Sequence, residues 1–361
     1  MSRSGIAVLS ATLALALLLP TAGCVDPIDL DVGPAQRHLV VEGVVREGPG
    51  PHQVILSQSG AFTAGIEALR PRLPGATVTV EVGDGTEVAL HERSGPTRYE
   101  SEPGVLVGTV GQTYVLRVQL QSGQVYRSFP VTMRPATEIL DLRTSLEEGS
   151  RLVNGVLISD PSVDLMVDAA TTPGQPDYYR WTWEGTYSRE ACYSTSGQFP
   201  VQICERCYLN QEGTSLVEVA DDGLAVGNVL ANQRAASFTL AREGFRFIPA
   251  FHITVRQEAL TPEAFQFWSL IRDSRDNVGS LFDPPAEATF SNLVNVDDPF
   301  DRPLGYFTVA GTASSDTCIR RDDFPLNTAF PALQPLRGQC GVTVAGSRTP
   351  PPGFVEACAR N

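Results

Sequence analysis

Cysteines offer this chain its most distinctive chemistry. There are seven, and one of them, Cys24, stands alone in the first 191 residues while the other six lie between 192 and 358. Cys24 follows the small residues Thr21, Ala22 and Gly23. Ahead of these, Arg3 is the only charge and an apolar run extends from Ile6 to Leu19. That run is shorter than the roughly 20 apolar residues a permanent membrane helix needs, and it reads as the core of a secretory signal peptide over residues 1–23.

Small residues directly before a cysteine suit a lipoprotein signal peptidase. That enzyme cleaves a chain whose thiol already carries a diacylglyceryl group, and bulky side chains would not fit there. The segment resembles the bacterial lipobox, with Thr21 where leucine is usual. Cys24 is therefore the expected lipidation site, carrying two or three palmitate-like acyl chains. Each buried methylene contributes about 0.8 kcal/mol and stable anchoring takes two chains, so the mature protein is expected to stay on a membrane without crossing it. Val25 follows the cysteine, where an aspartate commonly retains lipoproteins in the inner membrane, so the outer membrane is the expected address.

The remaining cysteines, Cys192, Cys204, Cys207, Cys318, Cys340 and Cys358, form an even set in an exported chain and read as three disulfides. Spacing suggests Cys340–Cys358 as a local pair, Cys192 with Cys204 or Cys207, and the other of those two with Cys318. The Cys204-Glu205-Arg206-Cys207 run also has redox or zinc spacing. A redox centre would open a helix, and zinc would need a second ligand pair; the surrounding sequence offers neither.

Other chemistry is sparse. The four histidines, His38, His52, His91 and His252, have no metal-ligand spacing, and there is no nucleophile elbow or phosphate-cradling loop. Alternation along 178–183 puts Tyr179, Trp181 and Trp183 on one strand face, either as a core stripe or as a stacking platform for a glycan or peptide. Asp297, Asp298 and Asp301, with Asn295 nearby and Asp283 upstream, supply oxygen ligands of the kind calcium takes, though without the spacing of a known calcium loop. The same residues are good turn formers. This loop and the Asp283-Pro284-Pro285 stretch mark the expected partner-facing surface. No cofactor is implied.

The elements that must carry these residues are mainly strands. An acidic tether spans 24–36, with a reach of roughly 40 Å. From residue 38 onward, short segments alternate with period two and are separated by Gly-rich turns: 38–45, 52–57, 76–82, 86–92, 113–120 and 125–131. Such spacing predicts an immunoglobulin-like β-sandwich over 37–134. After a boundary near Arg134-Pro135, a larger β-rich, disulfide-stabilised domain is expected over 138–361, with strands at 163–169, 178–187, 247–260 and 304–312. One helix is predicted, with Thr261 as N-cap, Pro262 in its first turn, and Ala264, Trp268 and Ile271 on its buried face beside Phe265.

Composition excludes some partners. Every one of the 27 basic residues is arginine, and 41 acidic residues give a net charge of −14. Removing residues 1–23 takes away Arg3 alone and leaves −15. Such a chain has no electrostatic reason to bind nucleic acid.

Several segments in one order carry a family resemblance: CVDPIDLD, PGATVTVEVGDG, GQTYVLRV, DYYRWTWEGTY, VRQEALTPEAFQFWSLIRD, GSLFDPP and NVDDPFDRPLGYFTVAG. Together they resemble the outer-membrane lipoproteins grouped as domain of unknown function 4249. The resemblance implies a lipoprotein with an immunoglobulin-like N-terminal part that accompanies a TonB-dependent transporter, and it implies no enzyme activity. The leading expectation is thus a non-enzymatic accessory or ligand-capturing partner of such a transporter. Behind it stand a free-standing glycan- or peptide-binding module and a two-carboxylate hydrolase.

Overall fold

A computed structural model describes residues 37–59, 73–93, 97–196, 199–213, 217–276 and 291–358. Cys24, its tether and Asp283 lie outside these residues. The chain is mainly β, with a few helices and several sheets.

The first sheet contains β1 (Leu39–Arg46), β2 (Gln53–Gln58), β3 (Thr77–Val82), β4 (Glu87–Arg93), β5 (Arg98–Glu100), β6 (Thr113–Gln119), β7 (Val125–Ser128) and β8 (Val131–Thr132). The expected alternation is realised: Leu39, Val41 and Val45 of β1, Val78 and Val80 of β3, and Tyr114, Leu116 and Val118 of β6 all point into one core. Gly43 makes the packing possible, because a Cβ there would lie 2.9 Å from the Phe307 ring and 3.3 Å from Leu116.

Phe307 is distant in sequence, and it changes the expected domain picture. The second half of the chain supplies β9 (Ile139–Glu147), β10 (Ser150–Val153), β11 (Val156–Ser159), β12 (Ser162–Ala170), β13 (Tyr178–Ser194), β14 (Gln202–Glu212), β15 (Glu218–Asp221), β16 (Val229–Thr239) and β17 (Ala250–Ala259). Helix α1 (Pro262–Asp276) follows, then β18 (Leu293–Asn295), β19 (Leu304–Ala310), β20 (Thr312–Arg320), β21 (Leu336–Arg337) and helix α2 (Pro352–Cys358). Of these, β18 and β19 return to the first sheet, whose order is β18-β7-β6-β3-β4-β5-β2-β1-β19 with β8 on β6. Residues 37–134 therefore build most of this sheet, and residues 293–310 complete it. Leu293, Phe307 and Val309 are part of its core.

The two ends of this path are tied by one side chain. Asn292 Nδ2 donates to the Phe307 carbonyl at 2.9 Å, and its Oδ1 accepts from the Phe307 N–H at 2.9 Å. Its own carbonyl accepts from Phe129 N at 2.8 Å. One buried amide thus stands in for a missing strand pair between the β18 and β19 edges. Replacing it by alanine leaves two backbone groups unpaired, each at a cost of about 1–3 kcal/mol. Asn292→Ala is expected to lower the unfolding free energy by about 2–4 kcal/mol, read as a shift of the urea midpoint with little change in slope.

Strand β19 is buried on both faces, which explains its nearly unbroken apolar run. Phe307 and Val309 enter the first core, while Tyr306 meets α1, and Thr308 Oγ1 accepts from Trp268 Nε1 at 3.4 Å. The helix starts as expected, with Ala264 N donating to Thr261 Oγ1 at 3.2 Å. Ala264, Trp268 and Ile271 do face inward, together with Phe267.

Sheets β16-β12-β9 and β14-β13-β17-β20 enclose a second core, with β15 and β21 also paired to β13. Val163, Leu165, Val167, Phe251, Ile253 and Val255 are fully buried there. Between the two cores, Glu258 of β17 is completely buried and pairs with Arg46 of β1 at 2.7 Å and with Arg180 of β13 at 3.6 Å. Arg180 in turn lies 3.8 Å over the Trp268 ring.

The six cysteines form Cys192–Cys204, Cys207–Cys340 and Cys318–Cys358. Cys192 takes one of its two expected partners, but the local Cys340–Cys358 pair and the link from Cys207 to Cys318 are not formed. The reason is strand geometry. The expected cysteine loop is the end of a hairpin, with Cys192 directly opposite Cys204 in the β13–β14 register. Cys207, three residues on, points to the other side of β14, into a small core with Cys340.

Candidate functional site

Tyr179 and Trp181 are core residues and Trp183 is half-buried against the same core, so the three form no exposed platform. Tyr179 and Trp181 are 1% and 2% exposed. The Trp181 indole N–H donates to Gln257 Oε1 at 3.0 Å, and Trp183 packs edge-on against Phe238 and Phe251 at 5.0 and 6.0 Å. The second core needs large apolar surfaces where β13 faces β12 and β16, and this stripe supplies them. Iodide is accordingly expected to quench tryptophan fluorescence several-fold less in the folded protein than in urea.

Asp297, Asp298 and Asp301 build a turn. Asp301 Oδ2 accepts from Tyr126 at 2.5 Å, Asn295 Nδ2 at 2.8 Å and Gln124 at 3.2 Å. Asn295 Oδ1 accepts the backbone N–H groups of Asp297 and Asp298. Burial, and then the bond to Asp301, push the Tyr126 hydroxyl well above its ordinary value, so it stays a donor. Among the described residues, three metal-ligating atoms gather only at Glu190, Cys192 and Cys204, where both sulfurs are already bonded to each other.

The histidines do not converge. His52 is 2% exposed, and its Nδ1 accepts from Arg46 N at 3.3 Å. Burial pushes its imidazole below the usual value. His252 meets Asp316 at 3.1 Å on the outer face of β17 and β20. That face carries an open polar groove of about 690 Å³, in which Glu184 and Glu212 stand directly opposite each other on β13 and β14. Arg256 pairs with the first at 3.2 Å and Arg98 with the second at 3.9 Å.

The larger concavity lies elsewhere. Helix α1 forms one wall with Glu263, Gln266, Phe267, Leu270 and Asp273. The β7–β8 connection forms the other with Phe129 and Pro130, Tyr306 contributes from β19, and Arg134 and Ser291 also line the space. Its volume is about 1050 Å³, at the upper end of ligand-site sizes. Phe129 remains 57% exposed although it adjoins a core strand. Burial, opposed by a bond with Thr261, pushes the Tyr306 hydroxyl up to about 12, so it is neutral at physiological pH. Arg134 is engaged by the Pro176 carbonyl at 2.6 Å and by Asp177 at 3.8 Å. The cleft is thus mainly apolar, with carboxylates at its rim.

The sequence points to a partner-facing surface formed by the 295–301 loop and the Asp283-Pro284-Pro285 stretch, the latter outside the described residues, and not to this cleft, which gathers residues 129–134, 261–273 and 291–306. The available signal was Phe129-Pro130, an aromatic at the end of a strand with no place in the core alternation. On the 295–301 loop, Val296 and Phe300 are exposed, but the turn's polar groups are used within it.

No curated protein matches the chain. The profile of one family, described as domain of unknown function DUF4249, matches residues 25–316, a span that covers the first sheet, most of the second core and the cleft. The chain belongs to the DUF4249 family.

Proposed function

We propose that this protein is a non-enzymatic outer-membrane lipoprotein, anchored through Cys24, that works as the accessory partner of a TonB-dependent transporter and docks it through the α1 cleft. The observation that carries the docking is the apolar opening between α1 and the β7–β8 connection. Apolar surface exposed in a concavity of this size favours a partner that covers it. Anchoring rests on the signal peptide and the small residues before Cys24, and the transporter on the family resemblance. Burial of Tyr179 and Trp181 in the core favours the docking reading over a glycan platform on that stripe. A peptide-binding module would use this same cleft. The hydrolase reading has Glu184 and Glu212 to draw on, but each is held by an arginine.

Two experiments test the proposal. Wild type is expected to sediment with outer membranes and to incorporate labelled palmitate, and Cys24→Ala to do neither; a membrane-bound, labelled Cys24→Ala would contradict the anchor. Affinity purification from native outer membranes in mild detergent is expected to recover a TonB-dependent barrel in near-equal amount. Recovery of the protein alone would contradict the partnership.

A further inference from the structure

The cleft's charge identifies the chemistry of what enters it. Glu263, Phe267, Leu270 and Asp273 all line it from α1, three or four residues apart, and so form a single stripe along the helix. Two carboxylates therefore bracket two apolar side chains, and with a rise of 1.5 Å per residue they stand about 15 Å apart along the axis. Phe129 and Pro130 face this stripe across the opening.

Among the described residues, little neutralises these acids. Among the described residues no cation pairs with Glu263. Asp273 pairs with its neighbour Arg272 at 3.0 Å and is about half exposed, which is a weak surface contact. The arginine that lines the cleft, Arg134, is held by Pro176 and Asp177. An apolar floor between two acids selects an apolar segment with basic ends.

We propose that the cleft takes an extended segment of the protein partner carrying two basic side chains about four to five residues apart, with apolar residues between them. The spacing follows from about 3.3 Å per extended residue over about 15 Å. A helix of equal reach would need about ten residues and would be marginal on its own. This inference rests on the docking reading and adds the chemistry of the docked segment.

The test uses the mature lipoprotein in phosphatidylcholine nanodiscs, so that the bilayer carries no net charge. The probes are three capped pentapeptides bearing a neutral dye: Arg-Leu-Phe-Leu-Arg and its counterparts with Glu or Gln at both ends. Fluorescence anisotropy is expected to show the Arg peptide binding about tenfold tighter than the Glu peptide, with the Gln peptide between, as two partly exposed ion pairs would give. Added salt is expected to shrink the gap. Glu263→Gln should narrow the preference and Glu263→Arg reverse it; both change an exposed position and leave the core intact. Equal binding of the three peptides, binding of none, or a preference unchanged in Glu263→Gln would overturn the inference. The docking reading fails separately, if a photo-reactive side chain at position 266 captures no barrel in native membranes.

Discussion

Glu258→Ala is expected to destabilise the protein by about 3–5 kcal/mol, the usual cost of removing one partner from a buried ion pair. The acid is fully buried between two arginines, and its loss takes away the carboxylate that Arg46 and Arg180 share, with Glu42 the remaining acid acting on Arg180. Burial raises the cost of ionising Glu258, but the two guanidinium groups outweigh it and hold its pKa below the ordinary 4.5. A depressed acid stabilises the fold above its unfolded-state value, and that contribution fades as the pH falls through the folded-state value. The difference between wild type and Glu258→Gln should therefore be full at neutral pH and shrink below about pH 4.5. Chemical denaturation across pH reads both effects, and a difference independent of pH would contradict them. Replacing all three residues with apolar ones is expected to cost less than Glu258→Ala, because no uncompensated charge remains.

Gly305→Ala is the second large effect. Gly305 has φ +88°, and a Cβ there would sit 2.1 Å from the Val41 carbonyl oxygen and 2.9 Å from its carbon. Both atoms are backbone, in the strand that β19 pairs with in parallel, so no side chain can swing aside. The left-handed backbone costs about 1–3 kcal/mol and the forced separation a similar amount, about 4 kcal/mol together. Since β19 serves the first core and the α1 contact at once, the damage should reach the cleft. Hydrogen exchange should show weakened protection in β1, β19 and α1 together. Protection unchanged in α1 would contradict the sharing of β19.

The elements were more legible than their assembly. Alternation of Val78 and Val80, or of Tyr114, Leu116 and Val118, declares a half-buried strand from composition alone. Thr261-Pro262 declares a helix start. Neither pattern says which sheet a strand joins, and β19 joins one whose other members lie mostly before residue 135. Its apolar run from Tyr306 to Ala310 was the sign of burial on two faces, but period analysis cannot name the neighbours. Disulfides followed the same rule. An even count reveals three bonds, while pairing depends on Cys204 and Cys207 facing opposite sides of β14. The aromatic stripe at 179, 181 and 183 could not be assigned to core or surface by alternation, which marks a face without saying what covers it. The cleft was illegible for a different reason. Its chemistry is distributed over a turn, a helix and a strand that only the completed fold brings together.

The claim that matters most is that the α1 cleft is where the partner docks. Amine-reactive crosslinkers suit this protein poorly, because the chain contains no lysine. The direct measurement places photo-reactive benzoylphenylalanine at position 266 in the cleft or, as a control, at position 210 in the polar groove, followed by irradiation of native outer membranes. Position 266 is expected to capture a TonB-dependent barrel and position 210 to capture none. Capture from position 210 alone, or from neither position, would contradict docking at the cleft.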